Sequence, residues 1–178
     1  MSGNAIIEAA DFAATKHVNQ RRMNAEQAPY INHCIGVCRV LTAEGNVDDT
    51  DTLVAALLHD TVEDTDTTFE EIEARFGPTV RKLVSEVTDD KTLEKKERKR
   101  LQIEKAPFAS DQAKRIKMAD KIYNLRDIVK SPPLGWSEQR IKEYMEWAQK
   151  VTNGCRGVND KLEAILDGIY ADFHSKHP

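Results

Sequence analysis

The chain has 178 residues, a length that suits one domain (residues 1–178) with one hydrophobic core. Its apolar fraction of 40% and charged fraction of 31% are those of an ordinary globular protein, and no apolar run reaches the ~18 residues that cross a bilayer. The net charge of −4 argues against general nucleic-acid binding, which favours a strongly basic domain, although it leaves room for a local basic pocket.

The N-terminal residues and the cysteines both bear on the compartment. Residues 1–10 lack a basic start followed by an apolar stretch, so we predict no secretory signal and expect a cytoplasmic protein. Three cysteines suit a reducing compartment better than a disulfide scaffold. Cys34 and Cys38 lie four positions apart on a predicted helix, and we expect small buried side chains there because two thiols alone make a poor metal site.

Apolar residues recur at helical spacing along most of the chain. The first predicted helix starts at a capping Asn4 and runs toward Arg21, with His17 on its apolar side as a packing residue. The later predicted helices span residues 33–43, 50–62, 67–76, 78–87, 91–105, 109–129, 137–154 and 159–174.

Helix-capping residues support several of these boundaries. A side-chain oxygen just before a helix accepts a hydrogen bond from its first turn, and Pro78 suits a first helical turn. The predicted caps are Thr50 or Asp51, Thr67 or Thr68, Ser137 and Asn159. The sequence therefore predicts an all-α fold, a compact bundle of about eight to ten helices, with room for one short β-hairpin within residues 88–96.

The segment LLHDTVEDTD, residues 57–66, places one imidazole and four carboxylates after an apolar helix. If the third helix continues for one more turn, His59 lies beside Glu63 and Asp60 beside Asp64, because residues four apart share a helix face. Negative charge is unfavourable at a helix C-terminus, so a cation is expected there, and a divalent ion would serve best.

Two distant residues are candidates to complete such a site. His33 starts the second predicted helix, and Asp120 lies within the longest apolar run. Two imidazoles and two carboxylates suit Mn²⁺, Fe²⁺, Zn²⁺ or Ni²⁺ rather than Ca²⁺. The spacing also allows a site without metal, in which Asp120 pairs only with a nearby cation. The candidate cations are Lys117, Lys121 and Arg126.

Four motifs together resemble those of a known family. They are Arg21-Arg22, PYINH (29–33), AALLHDTVEDT (55–65) and ADKIYNLR (119–126). They resemble the hydrolase domain of the RelA/SpoT family, within the HD phosphohydrolase superfamily. The chain length, together with EVTDDK (86–91) and GWS (135–137), is similar to the small stand-alone animal SpoT homologues.

The resemblance implies an all-α HD-domain fold and a Mn²⁺-dependent enzyme with one ion per chain. The implied reaction removes the 3′-pyrophosphate of (p)ppGpp, giving GDP or GTP and pyrophosphate. By position, the implied metal ligands are His33, His59, Asp60 and Asp120. Glu63 and Asp64 are the implied catalytic pair.

Predicted substrate contacts follow the same motifs. Arg22, Tyr30 and Asn124 match binding positions of the family, and we predict that Lys95 and Arg140 reach phosphate. Met23 stands where these homologues usually carry a lysine after the arginine pair. A cation near the substrate is therefore missing, which puts affinity or substrate preference in doubt.

Two other functions remain open. The same metal site would suit removal of the 2′-phosphate of NADPH, since the alarmone ppGpp is not an obvious animal metabolite. A catalytically silent nucleotide sensor is the alternative of another class, and the intact Glu63-Asp64 pair argues against it because a pure binder needs no proton acceptor. The expected partner is a small nucleotide, with no nucleic acid and no membrane, and the oligomeric state is left open.

Overall fold

The computed structural model describes residues 2–177, and over this range it contains ten α-helices. They are α1 (Ser2–Lys16), α2 (Ile31–Arg39), α3 (Thr50–Leu58), α4 (Thr61–Asp64), α5 (Phe69–Phe76), α6 (Pro78–Val87), α7 (Lys95–Lys105), α8 (Asp111–Lys130), α9 (Glu138–Asn153) and α10 (Asp160–Lys176). A π-helical turn, Val40–Glu44, extends α2, and a 3₁₀ turn, Ala106–Phe108, follows α7. The predicted all-α class is confirmed. None of the described helices is long and apolar enough to cross a bilayer.

The expected hairpin within residues 88–96 does not form. In the described part of the chain, β pairing is limited to one isolated antiparallel bridge between Arg21 and Pro29. Asp90 instead makes a tight turn, because its Oδ1 accepts hydrogen bonds from the backbone N–H (2.9 Å) and hydroxyl (2.6 Å) of Thr92. Such a side-chain turn competes with strand pairing.

Side-chain caps start several helices, with one correction to the prediction. Asp49, rather than Thr50 or Asp51, caps α3 by accepting a hydrogen bond from the backbone N–H of Thr52 at 3.1 Å. The first helix begins at Ser2, so Asn4 lies inside it. Predicted caps that the structure confirms are Thr68, Ser137 and Asn159.

The third helix ends at Leu58, so the predicted continuation to Val62 is wrong. Residues 59 and 60 form a turn in which Asp60 has φ −102° and ψ −1°, and α4 starts at Thr61. The Thr61 hydroxyl donates to the carbonyl of Leu58 at 2.7 Å and so satisfies a carbonyl that the helix leaves free. His59 and Asp60 therefore lie at the junction of two helices instead of on one continuous helical face.

The central helix is α3, in which every residue from Thr52 to Leu58 is buried. It packs against α1, α2, α6 and α8, while α8 also contacts α9 and α10. One cluster of buried apolar side chains extends from Ala9 in α1 to Phe173 in α10. This packing brings the start of α2, the α3–α4 junction and the middle of α8 to one place in the core.

Candidate metal centre and active site

Four side chains, His33, His59, Asp60 and Asp120, converge where α2, the α3–α4 junction and α8 meet. The His59 Nε2 lies 2.9 Å from Asp60 Oδ2, and the His33 Nε2 lies 3.1 Å from Asp120 Oδ1. The two Nε2 atoms are 3.3 Å apart. The cross distances, from His33 Nε2 to Asp60 Oδ2 and from His59 Nε2 to Asp120 Oδ1, are both 3.5 Å.

The ligand atoms of His33, His59 and Asp60 all lie within 4.8 Å of one another and fit ligands of one shared ion. Asp120 contacts both imidazoles but lies outside that group. Two atoms that each lie about 2.1 Å from an ion are roughly 3.0–3.4 Å from each other in tetrahedral or octahedral geometry. The His59 Nδ1 is 2.7 Å from the Ala56 carbonyl oxygen, and donation to that oxygen leaves the Nε2 lone pair directed at the cluster. Two nitrogen atoms and the Asp60 oxygen thus converge in an arrangement that suits a divalent transition metal, with an Asp120 oxygen next to both imidazoles.

Hydrogen bonds from neighbouring side chains orient the two carboxylates. The Tyr30 hydroxyl donates to Asp60 Oδ2 at 2.6 Å. Asn124 Nδ2 donates to Asp120 Oδ1 at 2.9 Å, and Lys121 Nζ donates to Asp120 Oδ2 at 2.8 Å. Such contacts around a metal site fix the direction of its ligands.

The alternative in which Asp120 pairs only with a cation accounts for its contact with Lys121 but not for its contacts with the two imidazoles. Lys121 pairs with one carboxylate oxygen, while the imidazoles contact the other. Arg126 instead pairs with Glu44 at 2.8 Å. Burial raises the pKa of Asp120, but Lys121 and His33 more than offset this, so the pKa lies well below its usual range. The carboxylate therefore stays ionised, as a metal ligand must.

Glu63 lines the same small cavity, of about 150 Å³, as His59, Asp60 and Asp120. Its Oε1 accepts a hydrogen bond from the backbone N–H of Asp89 at 2.8 Å. Burial, followed by repulsion from nearby carboxylates, raises the pKa of Glu63 to about 7. A carboxyl group with this pKa gains and loses a proton readily near neutral pH.

Asp64 faces away from this cavity. Its Oδ1 accepts a hydrogen bond from Lys91 Nζ at 3.0 Å, and its Oδ2 accepts one from Gln20 Nε2 at 3.1 Å. The side chain lines a separate surface cavity with Lys16 and Gln20. Of the two acids that the sequence assigns to catalysis, Glu63 is therefore placed beside the metal ligands, and Asp64 is held by two donors at its own site.

A second cavity, of about 300 Å³, adjoins the first and shares Tyr30 and Asn124 with it. Arg22 lines the second cavity and donates to Asn124 Oδ1 at 2.8 Å and to Asp127 Oδ2 at 2.9 Å. Its guanidinium carbon is 5.6 Å from the centre of the Tyr30 ring. The structure thus brings Arg22, Tyr30 and Asn124 together at one cavity.

Met23 also lines this cavity, with 65% of the residue exposed. Lys95 and Arg140 are exposed and are not among the residues that line either cavity. The Arg140 guanidinium carbon lies 4.5 Å from the ring centre of Trp136, which does line the second cavity. Both cations therefore lie outside the cavities, with Arg140 next to the second one.

Sequence reasoning named Lys117 only as a possible ion-pair partner of Asp120 and missed Gln102, and both line the cavity of the candidate metal ligands. Lys117 makes no ion pair among the described residues, and burial together with Lys121 lowers its pKa. Its spacing of three from Asp120 on α8 is a local signal that could have identified it. Gln102 comes from α7 and carries no such signal. Tyr144, from α9, likewise reaches the second cavity only through packing.

Comparison with known proteins agrees with this geometry. The family model described as "HD domain" matches residues 9–146. A Xenopus tropicalis protein named guanosine-3′,5′-bis(diphosphate) 3′-pyrophosphohydrolase MESH1 is 60% identical over 167 residues, covering 94% of this chain and 93% of its own. The Homo sapiens protein of the same name is 59% identical over 165 residues, covering 93% and 92%.

A solved structure is also similar to this chain. It is described as "A metazoan ortholog of SpoT hydrolyzes ppGpp and plays a role in starvation responses" and is 50% identical. The match covers 94% of each chain with a TM-score of 0.93. The chain belongs to the HD domain family and, within it, to the animal SpoT homologues of the RelA/SpoT hydrolases.

Proposed function

We propose that this hydrolase removes the 3′-pyrophosphate of ppGpp and pppGpp, giving GDP or GTP and pyrophosphate, with one Mn²⁺ per chain. The observation that carries the proposal is the convergence of two imidazoles and two carboxylates beside Glu63, whose pKa is about 7. The names of the relatives support the choice of substrate. An enzyme of this kind needs an ion site next to a proton acceptor, and the location of His59, Asp60, Asp120 and Glu63 in the lining of one cavity supports this.

His33, His59, Asp60 and Asp120 would hold the ion. When bound, a divalent ion supplies Lewis acidity toward water and phosphoryl oxygens. Glu63 is the proton acceptor, because its carboxylate lines the cavity and titrates near neutral pH. The Asp89 N–H holds one Glu63 oxygen, which leaves the other free to face the attacking water.

The two adjoining cavities suit the two parts of the substrate. A cavity of about 150 Å³ accommodates a phosphoryl group, while the neighbouring one of about 300 Å³ reaches the lower end of the range for small-molecule sites. Tyr30, Trp136 and Tyr144 offer aromatic surface to a base in the larger cavity. Lys117 faces the smaller one and can contact phosphate oxygens.

Lys95 and Arg140 lie farther out and are proposed as contacts for the remaining phosphates. Lys95, Arg140 and Lys121 all lie close enough to Lys99 to lower its pKa, although burial is the larger cause. Cations grouped in this way attract a polyanionic nucleotide before it docks. The cytoplasmic location remains a prediction.

Product analysis tests the proposal. Protein freed of metal with EDTA and reloaded with Mn²⁺ should release pyrophosphate and GDP from ppGpp, and Asp120→Ala should lose both tight Mn²⁺ binding and turnover. A control substitution, Lys130→Met, changes an exposed residue at the end of α8 and should leave both intact. Turnover by the metal-free protein, or full activity of Asp120→Ala, would refute the assignment.

A second candidate reaction is removal of the 2′-phosphate of NADPH. The favouring observation is Met23, an exposed apolar side chain at the larger cavity. Without a cation at this position, the attraction for a highly charged alarmone is reduced relative to a nucleotide with a single terminal phosphate. Orthophosphate released from NADPH, measured beside pyrophosphate released from ppGpp, decides between the two. Binding of both nucleotides without any turnover would instead indicate a silent sensor.

A further inference from the structure

A buried histidine next to the site is not used by the proposed reaction. His17 directly follows α1 and is only 2% exposed. Its Nδ1 lies 2.7 Å from the Gln20 Oε1, while its Nε2 is buried without a hydrogen-bond partner. Burying an unpartnered nitrogen costs free energy, and an apolar side chain would avoid this cost. The contact between Nδ1 and Gln20 is what an apolar residue could not provide.

The direction of this hydrogen bond is set by Asp64. A carboxylate oxygen accepts hydrogen bonds, so Gln20 must turn its NH₂ group toward Asp64 Oδ2, where the structure places it at 3.1 Å. The Gln20 Oε1 then faces His17, which must donate through Nδ1–H. The three side chains therefore form a chain of donors and acceptors that runs from the end of α1 to α4.

The same histidine also supports the metal side of the site. Its ring packs on the Tyr30 ring, with centroids 4.9 Å apart, and the Tyr30 hydroxyl donates to Asp60. Backbone bonds hold the arrangement together, since the Tyr30 N–H donates to the Gln20 carbonyl at 3.0 Å. One buried side chain is thus linked to Asp64 through Gln20 and to Asp60 through Tyr30.

We propose that His17 is a positioning residue, whose Nδ1–H fixes the Gln20 amide and through it the carboxylate of Asp64. The importance of Asp64 for turnover rests on the proposed function, with Asp64 as the second member of the implied catalytic pair beside Glu63 in α4. The hydrogen-bond chain itself, however, can be measured without turnover. His17 is accordingly more than the packing residue that the sequence predicts.

Two substitutions separate hydrogen bonding from packing. His17→Phe keeps a ring against Tyr30 but removes the donor, and we expect kcat for ppGpp to fall about 5- to 50-fold, with Mn²⁺ affinity changed less than about twofold. His17→Asn places an amide N–H near the Nδ1 position and should restore kcat to within about threefold. Phe12→Leu, a core change on α1, controls for lost stability and should leave kcat intact.

Coupling to Gln20 is the second readout. If His17 acts through Gln20, the double variant His17→Phe/Gln20→Leu should be no slower than Gln20→Leu alone. The proposal would be overturned if the losses of kcat in the two single variants multiplied in the double variant. Full activity of His17→Phe, or an equal loss of kcat in Phe12→Leu at the same drop in Tm, would also overturn it.

A measurement without substrate keeps the two proposals apart. In ¹⁵N NMR spectra, His17 should show a protonated Nδ1, and the ¹³C shift of the Asp64 carboxylate should move alike in His17→Phe and Gln20→Leu. If ppGpp and NADPH are not hydrolysed by the wild type, the proposed function fails, yet these shifts still decide on the hydrogen-bond chain. A protonated Nε2 with a bare Nδ1, or an unmoved Asp64 shift, would refute it.

Discussion

Neighbouring groups give the adjacent acids Glu63 and Asp64 different properties. Glu63 lies beside the metal ligands, receives one backbone hydrogen bond and has a pKa of about 7. Asp64 receives hydrogen bonds from Lys91 and Gln20 and lines another cavity. A proton acceptor must be able to hold and release a proton near the working pH, so we propose this role for Glu63.

The pH dependence of hydrolysis should follow Glu63. It accepts a proton only when ionised, so kcat/KM for ppGpp should rise with pH up to an inflection at or below about 7, because a bound cation stabilises the carboxylate. Glu63→Gln should keep Mn²⁺ but lose a factor of about 10² or more in kcat. Stopped-flow or product assays across pH check this. An unchanged inflection in Glu63→Gln would assign the proton acceptor elsewhere.

Glu63 should also make the stability of the metal-free protein depend on pH. Its pKa rises from 4.5 to about 7 on folding, so the folded state binds the proton more tightly. The resulting stabilisation is complete below about pH 4.5 and is lost as pH rises through 7. Glu63→Gln removes this loss and should be more stable than wild type at pH 8 by about 1–3 kcal/mol.

Urea unfolding in EDTA measures the effect. The two proteins should differ less at pH 5, where Glu63 is protonated in the folded state and Gln resembles it. An equal stability difference at both pH values would show that Glu63 is not responsible.

Lys117 is expected to contribute binding energy for phosphate. It lines the cavity of the metal ligands, and Lys117→Met keeps the length of the side chain but removes the charge. The value of kcat/KM for ppGpp should fall by about tenfold or more, since a hydrogen bond to a charged group contributes roughly 1.5–3 kcal/mol. Steady-state kinetics test this, with Lys130→Met as the exposed control. Matching values for the two variants would remove Lys117 from the site.

At the scale of elements, close packing of α2 on α8 brings His33 of α2 next to Asp120 of α8. Gly36 of α2 faces Tyr123 of α8, and a Cβ at position 36 would lie 1.9 Å from the Tyr123 ring. The Tyr123 ring also packs on His33, with centroids 5.0 Å apart. The absence of a side chain at Gly36 therefore allows the approach that brings His33 to Asp120.

Gly36→Ala should push the two helices apart. Overpacking of this kind costs about 1–3 kcal/mol, and the displaced Tyr123 should also weaken Mn²⁺ binding through His33. Thermal unfolding and metal titration measure both effects. The matched control is Gly168→Ala in α10, where a Cβ meets nothing within 4 Å, so better helix propensity should stabilise the protein by about 0.5–1 kcal/mol. Two stabilising substitutions would contradict this account of α2 and α8.

The helices also show which structural features can be predicted from local sequence. Periodicity and caps predicted the helices and the starts at Ser137 and Asn159. The break after Leu58 was missed, because it depends on the turn at residues 59 and 60 and on the hydrogen bond from the Thr61 hydroxyl to the Leu58 carbonyl. The pattern of apolar residues continues unchanged across such a break, so apolar periodicity cannot reveal where the helix ends.

For the whole molecule, one apolar cluster joins α1 to α10, and the proposed metal ligands come from three separate parts of the chain. A single core of this kind favours cooperative unfolding. Trp136 lies in the loop before α9 and Trp147 lies in α9. Their fluorescence should therefore change in the same urea transition as far-UV circular dichroism, which reports all helices. Separate midpoints would contradict the predicted single domain over residues 1–178.

The sequence by itself determined the all-α class, most of the helices and which groups are available, because apolar periodicity and caps act over a few residues. The order of His33, His59-Asp60 and Asp120 supplies two imidazoles and two carboxylates. Tertiary structure decided how these groups are used. Packing of α2, α3 and α8 brought the imidazoles of His33 and His59 into contact with the carboxylates of Asp60 and Asp120. It also turned Glu63 inward and Asp64 outward, and joined His17 to Gln20. Contacts between distant segments depend on how all helices pack together, and no short stretch of sequence records that.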